Sequence, residues 1–222
     1  VSVLVIIPAA GSGTRFGGEI PKQFLPLAGK PLLLHSVERF FLDERVDQVV
    51  VAVAEALLAN TKQTERARFV AGGATRQQSV LRALEAAGEG WEIVAVHDAV
   101  RPFFSTVTFH ALLDAASEVG AAIPALPVAD TIHITRDSII ESTPDRASLA
   151  AAQTPQCFRY DILREALERA VTDGIEGTDE AALATRYGYA VRVLPGDPLN
   201  LKITHADDMA RAEQIMAEAT QQ

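Results

Sequence analysis

Residues Val3 to Lys22 constrain this chain more than any other stretch: an aliphatic run, a proline, a small-residue loop and a lysine. Val3-Leu4-Val5-Ile6-Ile7 has no polar alternation, so it predicts a strand covered on both faces at the centre of a parallel sheet. The loop after such a strand lies at the carboxyl edge, where open α/β sheets bind ligands. Pro8-Ala9-Ala10-Gly11-Ser12-Gly13-Thr14-Arg15 is rich in small residues that let a ligand approach the main chain, whose N–H groups suit phosphate oxygens. Arg15 and Lys22 add two fixed cations at the same rim. The stretch reads as a loop for a polyanion.

Two common glycine loops are excluded. In a dinucleotide fingerprint starting at Gly11 and Gly13, the third glycine position is held by Phe16. A Walker loop starting at Gly13 would need Gly-Lys-Ser/Thr where the chain has Gly18-Glu19-Ile20. A plain strand-to-helix turn would also explain the glycines, but not Arg15 and the Pro21-Lys22-Gln23 segment.

Charge usage sharpens this reading. The chain carries a net charge of -9, which argues against a nucleic-acid partner and requires any anion site to concentrate positive charge locally. Lysine occurs at only Lys22, Lys30, Lys62 and Lys202, so ordinary surface cations here are arginines. Lys22 and Lys202 both sit in loops flanked by Pro or Asn rather than on helix faces. The apolar runs fall far short of the roughly 20 residues of a membrane span, and the first residues lack the basic flank and cleavage site of a secretory signal. With Cys157 as the only cysteine, a disulfide within the chain and a cysteine zinc site are both excluded, and a cytoplasmic location is expected.

Pattern along the chain predicts strands at Val46 to Val53, Arg68 to Ala71, Ile93 to Val96 and Ala121 to Leu126. Helices are predicted after Pro31, from Ala54 to about Glu65, from Arg76 to Ala87 and from Thr106 to Val119. This alternation implies βαβ units and one α/β domain over residues 1–222, with a doubly wound, mostly parallel sheet. It breaks after Asp130, where Thr131-Ile132-His133-Ile134-Thr135, a turn at Arg136-Asp137-Ser138 and Ile139-Ile140-Glu141 predict a β-hairpin. A lone hairpin with an apolar side needs support, which suggests an arm over about residues 127–148 that packs on a second copy. Folding back on its own sheet is the alternative. A strand near Cys157-Phe158, helices at Tyr160 to Asp173 and after Thr178-Asp179-Glu180, a strand at Val191 to Leu194 and a helix from His205 complete the chain.

The loops also form an ordered set. In sequence they are the first loop, Pro21-Lys22-Gln23, Gly72-Gly73 with Arg76 and Ser79, His97-Asp98-Ala99-x-Arg101-Pro102, and Asp130-Thr131. Asp145-Arg146, Thr154-Pro155-Gln156, Thr178-Asp179-Glu180 and Asn200-x-Lys202-x-Thr204 follow. Over about residues 3 to 215 the set resembles the 2-C-methyl-D-erythritol 4-phosphate cytidylyltransferases of non-mevalonate isoprenoid synthesis. The first loop is shared by many nucleotidyltransferases; the order of the whole set is the specific feature.

The resemblance implies a Rossmann-like nucleotidyltransferase fold and transfer of CMP from CTP to methylerythritol phosphate with magnesium. By the same resemblance Arg15 and Lys22 stabilise the α-phosphate transition state, while Arg146 and Lys202 hold the attacking phosphomonoester. Pro8, Ala9, Ala10, Gly11, Gly13, Gly72, Gly73, Ser79 and Ala99 bind the nucleotide. Asp98, Arg101, Thr131, Thr154 and Thr178 surround the second substrate, and Asp98 is the carboxylate candidate for magnesium. The arm is exchanged between two subunits, so Thr131 and Arg146 serve the partner's site. Ala74 departs from the pattern, because a polar side chain is expected there; base recognition then rests on main-chain groups.

Chemistry agrees with this reading. A phosphomonoester is largely dianionic near neutral pH, with a second pKa of about 6, so it needs no general base. Simpler readings remain for some residues. Arg76 is either a first-turn helix residue or a partner of a Glu, and Thr178-Asp179-Glu180 can be a helix cap. Asp207-Asp208 reads as helix-start chemistry, His97 as a structural hydrogen-bonder and Cys157 as buried and inert. Open alternatives are a ribitol-5-phosphate cytidylyltransferase, a sugar-1-phosphate nucleotidyltransferase, a non-catalytic nucleotide-binding regulator and, disfavoured by Phe16, a nicotinamide oxidoreductase.

Overall fold

The computed structural model describes residues 1–11, 21–61 and 67–220. Its strands are β1 Val3–Ala9, β2 Pro26–Leu27, β3 Lys30–Pro31, β4 Gln48–Val53, β5 Ala67–Ala71 and β6 Ile93–Val96. β7 Ala121–Pro127, β8 Ile134–Arg136, β9 Ile139–Ser142, β10 Ala150–Ala152, β11 Gln156–Arg159 and β12 Arg192–Pro195 follow. The α-helices are α1 Leu32–Phe41, α2 Arg76–Ala87, α3 Thr106–Val119, α4 Tyr160–Thr172, α5 Glu180–Arg186 and α6 Ala206–Thr220.

β1 lies inside the sheet, parallel to β4 on one side and β6 on the other, with β5 parallel beyond β4. Its unbroken aliphatic run follows from having both faces covered. Val3, Val5, Ile7 and Ala9 pack with Leu33, Val37 and Phe40 of α1 and Phe109 and Leu112 of α3. Leu4 and Ile6 pack on the opposite face with Val80 and Leu84 of α2 and Ile162, Leu163 and Leu167 of α4. Alternate side chains of a strand point to opposite faces, so each layer of helices receives one half of the run.

The other half of the sheet is mixed. β11 is antiparallel to both β6 and β7, and β10 is antiparallel to β7. β7 has three partners but two edges. β12 pairs along residues 122–125, so β10 (pairing at 125–127) and β11 (at 121–122) share the opposite edge in succession. No sequence pattern predicts β10, because Ala150-Ala151-Ala152 carries no β-branched or aromatic residue.

One expected helix is different. Glu55–Asn60 is a 3-10 helix, closed by i to i+3 bonds from Leu57 N–H to Ala54 and from Thr61 N–H to Leu58; the rest of the expected element falls on residues 62–66, outside the described set. The hairpin forms with its second strand starting at Ile139 as expected, but its first strand is only Ile134–Arg136, and Arg136 pairs with Ile139, so the turn is the two residues Asp137 and Ser138, both at positive φ. Ile134, Ile139 and Ile140 on it are more than half exposed. Among the described residues no helix is long and apolar enough to cross a membrane.

Candidate active site

Four parallel strands deliver their carboxyl ends to one edge. β1 runs into Ala10 and Gly11, β5 into Gly72-Gly73 and β6 into His97-Asp98, while β4 between them accepts a hydrogen bond from Gly72 N–H on the Val53 carbonyl at 2.8 Å. There a cavity of about 300 Å³ opens. Pro8, Ala9, Ala10, Gly11, Lys22, Gly73, Ser79, Asp98, Ala99 and Lys202, all expected site residues, line it. Gln23, Ala74, Thr75, Arg76 and Val100 complete the lining. Gly13 and Arg15 lie outside the described residues.

Glycine is required in the second wall. A Cβ on Gly72 would overlap the methyl group of Ala10, and one on Gly73 would overlap the Gln78 side chain. The first loop and the Gly72-Gly73 turn therefore touch directly. Ser79 Oγ accepts from Gly73 N–H at 3.0 Å and donates to the Thr75 carbonyl at 2.9 Å, so this hydroxyl holds the turn in shape. Ala74 N–H donates to Gln78 Oε1 at 2.9 Å.

Asp98 is the electrostatic centre. Arg76 Nε lies 3.4 Å from Oδ1, and Arg101 Nε and Lys202 Nζ lie 3.3 and 3.0 Å from Oδ2. Burial pushes this carboxyl up, but Arg76, Lys202 and Arg101 together outweigh it and hold the group well below the usual carboxylate range. Arg76 also contacts both oxygens of Glu180 at 2.6 Å, and Glu180 is only 1% exposed. Burial opposes the charge of Arg76, and Glu180 and Asp98 prevail, raising its pKa. Three cations thus face two carboxylates, and Lys22 on the cavity wall adds a further positive charge.

A buried chain of hydrogen bonds supports Asp98 from below. Asp98 N–H donates to Thr154 Oγ1 at 3.0 Å, whose hydroxyl donates to His97 Nδ1 at 3.0 Å. His97 Nε2–H donates to the Arg101 carbonyl at 2.9 Å. That carbonyl can only accept, so the imidazole is the neutral Nε2–H tautomer. Burial takes its pKa down to about 4 despite the Arg101 carbonyl. Arg101 Nη1 donates to the Asn200 carbonyl at 2.7 Å and Asn200 Nδ2 to the Thr154 carbonyl at 2.8 Å, which ties the Lys202 loop to the same frame.

Other expected residues lie apart from the cavity wall. Thr154 and Arg101 reach it through Asp98. Thr178 is exposed, two residues before Glu180. Thr131 is exposed on the approach to the hairpin, and Arg146 lines a separate depression with Pro127, Val128 and Leu149, donating to the Ala129 carbonyl at 2.7 Å. Within one protomer, then, Lys22 and Lys202 meet in one cavity, whereas Thr131 and Arg146 do not join its lining.

The simpler readings divide. His97 is the structural hydrogen-bonder expected, Cys157 is fully buried with its thiol pKa pushed up, and Asp208 accepts from Thr204 and His205 N–H at 2.7 and 2.8 Å as helix-start chemistry. Asp179 caps α5 through Ala182 N–H, while Glu180 does more than start a helix, because Arg76 reaches it. Gln23 belongs to the Pro21-Lys22-Gln23 segment, but local pattern gives it no role of its own, because it does not show which carbonyls the amide meets.

The site can be compared with known proteins. Residues 3–218 match the family model for 2-C-methyl-D-erythritol 4-phosphate cytidylyltransferase. The chain is similar to the enzyme of that name from Symbiobacterium thermophilum, at 45% identity over 100% of this chain and 96% of the relative. It is similar to that of Geobacillus kaustophilus at 43%, over 96% of each. Among solved structures it resembles the cytidylyltransferase from Thermus thermophilus with a TM-score of 0.83 and 37% identity, covering 98% of this chain and 100% of that one. The Francisella tularensis structure gives a TM-score of 0.86 at 30% identity, covering 96% and 99%. With its carboxyl-edge cavity, its clustered cations and a match along nearly its whole length, the chain belongs to the 2-C-methyl-D-erythritol 4-phosphate cytidylyltransferase family.

Proposed function

We propose that this chain transfers CMP from CTP to 2-C-methyl-D-erythritol 4-phosphate, releasing pyrophosphate and 4-diphosphocytidyl-2-C-methyl-D-erythritol. The observation that carries the reading is the meeting of Lys22 and Lys202 with the first loop and Asp98 in one cavity at the carboxyl edge. An oxygen of the phosphomonoester attacks the α-phosphorus of CTP, and the bond to the β-phosphate oxygen breaks. The nucleophile arrives as an anion, so no proton need be removed. The neighbouring His97 suits that requirement, since both its nitrogens are engaged in hydrogen bonds and it is held neutral.

Alignment of two repelling anions is then the main task, with cations placed where charge grows. Lys22 faces the α-phosphate and leaving pyrophosphate, and Arg15 is assigned the same task by the family resemblance. Lys202 takes the attacking phosphate, exchanging its present partner Asp98 for the substrate's dianion. The Ala9-Ala10-Gly11 main chain follows the triphosphate, a task the family resemblance also assigns to Gly13, and Gly73, fixed by Ser79, faces the base. Asp98 shapes the polyol side, held by Arg101 and Thr154, and Thr178 is assigned to the same substrate by the family resemblance.

Asp98 is the only carboxylate among the described lining residues, and no cluster of three ligating side chains occurs among the described residues. Since three cations already share its oxygens, the site suits magnesium held chiefly through nucleotide phosphates and waters. When bound, that ion neutralises phosphate charge.

The arm over about residues 127–148 completes the reading of the chain as one nucleotidyltransferase domain. A second copy brings Thr131 and Arg146 to this cavity; the exposed isoleucines of the hairpin and the absence of both residues from the described lining of their own cavity support an exchanged dimer. A cytoplasmic enzyme suits the lone buried Cys157.

The test is direct. Incubating the protein with CTP, magnesium and either methylerythritol phosphate or ribitol 5-phosphate, and following pyrophosphate, is expected to show turnover with the first ester. Turnover only with the second, or with UTP in place of CTP, would replace the reading. Mass measurement in solution is expected to give a dimer that dissociates when residues 131–143 are removed.

A further inference from the structure

We propose that Gln23 is a positioning residue for catalysis, locking the first loop and Lys22 into a single register for the triphosphate; this rests on the cavity being the CTP site. Gln23 is 5% exposed, stands in the 3-10 turn Lys22–Phe24 and lines the cavity. Its Nε2 donates to the Ala9 carbonyl at 2.8 Å and to the Gly11 carbonyl at 2.8 Å. A primary amide nitrogen has two hydrogens, and both are used. The orientation of the amide follows, because Oε1 could not face two carbonyl oxygens.

This arrangement has two consequences for a polyanion. First, the two carbonyls straddling Ala10 have their negative ends directed at a neutral donor. Free carbonyls in such a loop would repel phosphate oxygens, and Gln23 turns these two to its own side. Second, the bonds bracket the residue whose methyl group abuts Gly72. Ala10 is thus held between the Gln23 amide behind it and the Gly72-Gly73 turn beside it.

Lys22 is coupled to the same lock through the chain. Its turn is closed by Phe24 N–H to the Pro21 carbonyl at 2.9 Å and Leu25 N–H to the Lys22 carbonyl at 3.1 Å. With so short a turn, the backbone of Lys22 cannot shift without moving the Gln23 amide. Neither main-chain donors for phosphate nor the lysine can therefore drift independently of the other.

The experiment uses the full chain and the variants Gln23→Glu, of equal shape without the donors, and Gln23→Met, uncharged and of similar length. Calorimetric binding of CTP to the unaltered protein comes first. No binding there would reject the assignment of the cavity itself, before Gln23 is tested. Given binding, Gln23→Glu is expected to raise KM for CTP about tenfold or more and to lower kcat, since a buried and a part-buried hydrogen bond are lost and a charge is added. KM for methylerythritol phosphate should stay within about twofold. Gln23→Met should move CTP KM in the same direction by a smaller factor. Unchanged KM for CTP in either folded variant, or equal rises in both KM values, would overturn the proposal; a lower melting temperature with unaltered KM values would leave Gln23 only a structural role. If neither variant folds, amide exchange on the unaltered protein decides: CTP should protect residues 9–11 and 22–25 together, and protection of one segment alone would refute the coupling.

Discussion

His97 gives the stability of this protein a pH dependence that can be worked out from its contacts. Protonation would place a hydrogen on Nδ1, facing a Thr154 hydroxyl that already accepts from Asp98 N–H and now donates to that same nitrogen. It would also add a buried positive charge near Arg101 and Arg76. The folded pKa is about 4 against 6.5 for a free imidazole. Because it is lowered, the unfolded chain binds more protons between those values. The associated stability is therefore complete above pH 6.5 and is lost as pH falls toward 4. At 1.36 kcal/mol per pH unit, the gap corresponds to about 3 kcal/mol in full, and about 2 kcal/mol is already lost by about pH 5.

The assay is urea unfolding of the native chain and of His97→Gln at a series of pH values. Glutamine keeps a donor for the Arg101 carbonyl and an acceptor for Thr154 but cannot titrate. The variant is expected to be less stable at about pH 7.5, since it gives up edge contacts with Phe40 and Phe104. It should also lose about 2 kcal/mol less than the native protein on going to about pH 5. The imidazole resonances provide an independent reading. An equal pH slope in both proteins, or a folded His97 titrating near 6.5, would refute the argument.

Three further results are expected. Gly72→Ala should cost about 1 to 3 kcal/mol by denaturant unfolding and raise KM for CTP, because the new methyl group displaces Ala10; unaltered CTP affinity would show that the two loops move independently. Glu180→Gln removes the nearer of the two buried carboxylates that face Arg76, leaving Asp98, a loss of about 1 to 3 kcal/mol after allowing for the partial exposure of Arg76; a change below about 0.5 kcal/mol would mean that the pair is structurally idle. Lys202→Met should raise KM for methylerythritol phosphate at least about tenfold while leaving CTP binding within about threefold, measured by steady-state kinetics and calorimetry; the reverse pattern would assign Lys202 to the nucleotide.

Much of this protein is legible in the sequence wherever the controlling forces are local. The bounds of α2, β6 and α3 follow from apolar period and caps, with Thr75 and Ser105 accepting from the backbone N–H groups of Gln78 and Thr108. The unbroken aliphatic run of β1 announces burial on two faces. Because parallel strands place their following loops on one edge, the loops that hold Ala10, Gly72 and Asp98 come to the same side of the sheet. Only tertiary structure decides the antiparallel insertion of β11, the place of the alanine strand β10 and the bonds around Asp98. Arg76 and Glu180 are 104 positions apart, His97 and Thr154 57 apart, and Gln23 meets carbonyls on a different segment. Helix and turn propensities reach only a few residues along the chain. Pairings across such distances depend on which sheet edges meet, and that is settled when the whole core packs.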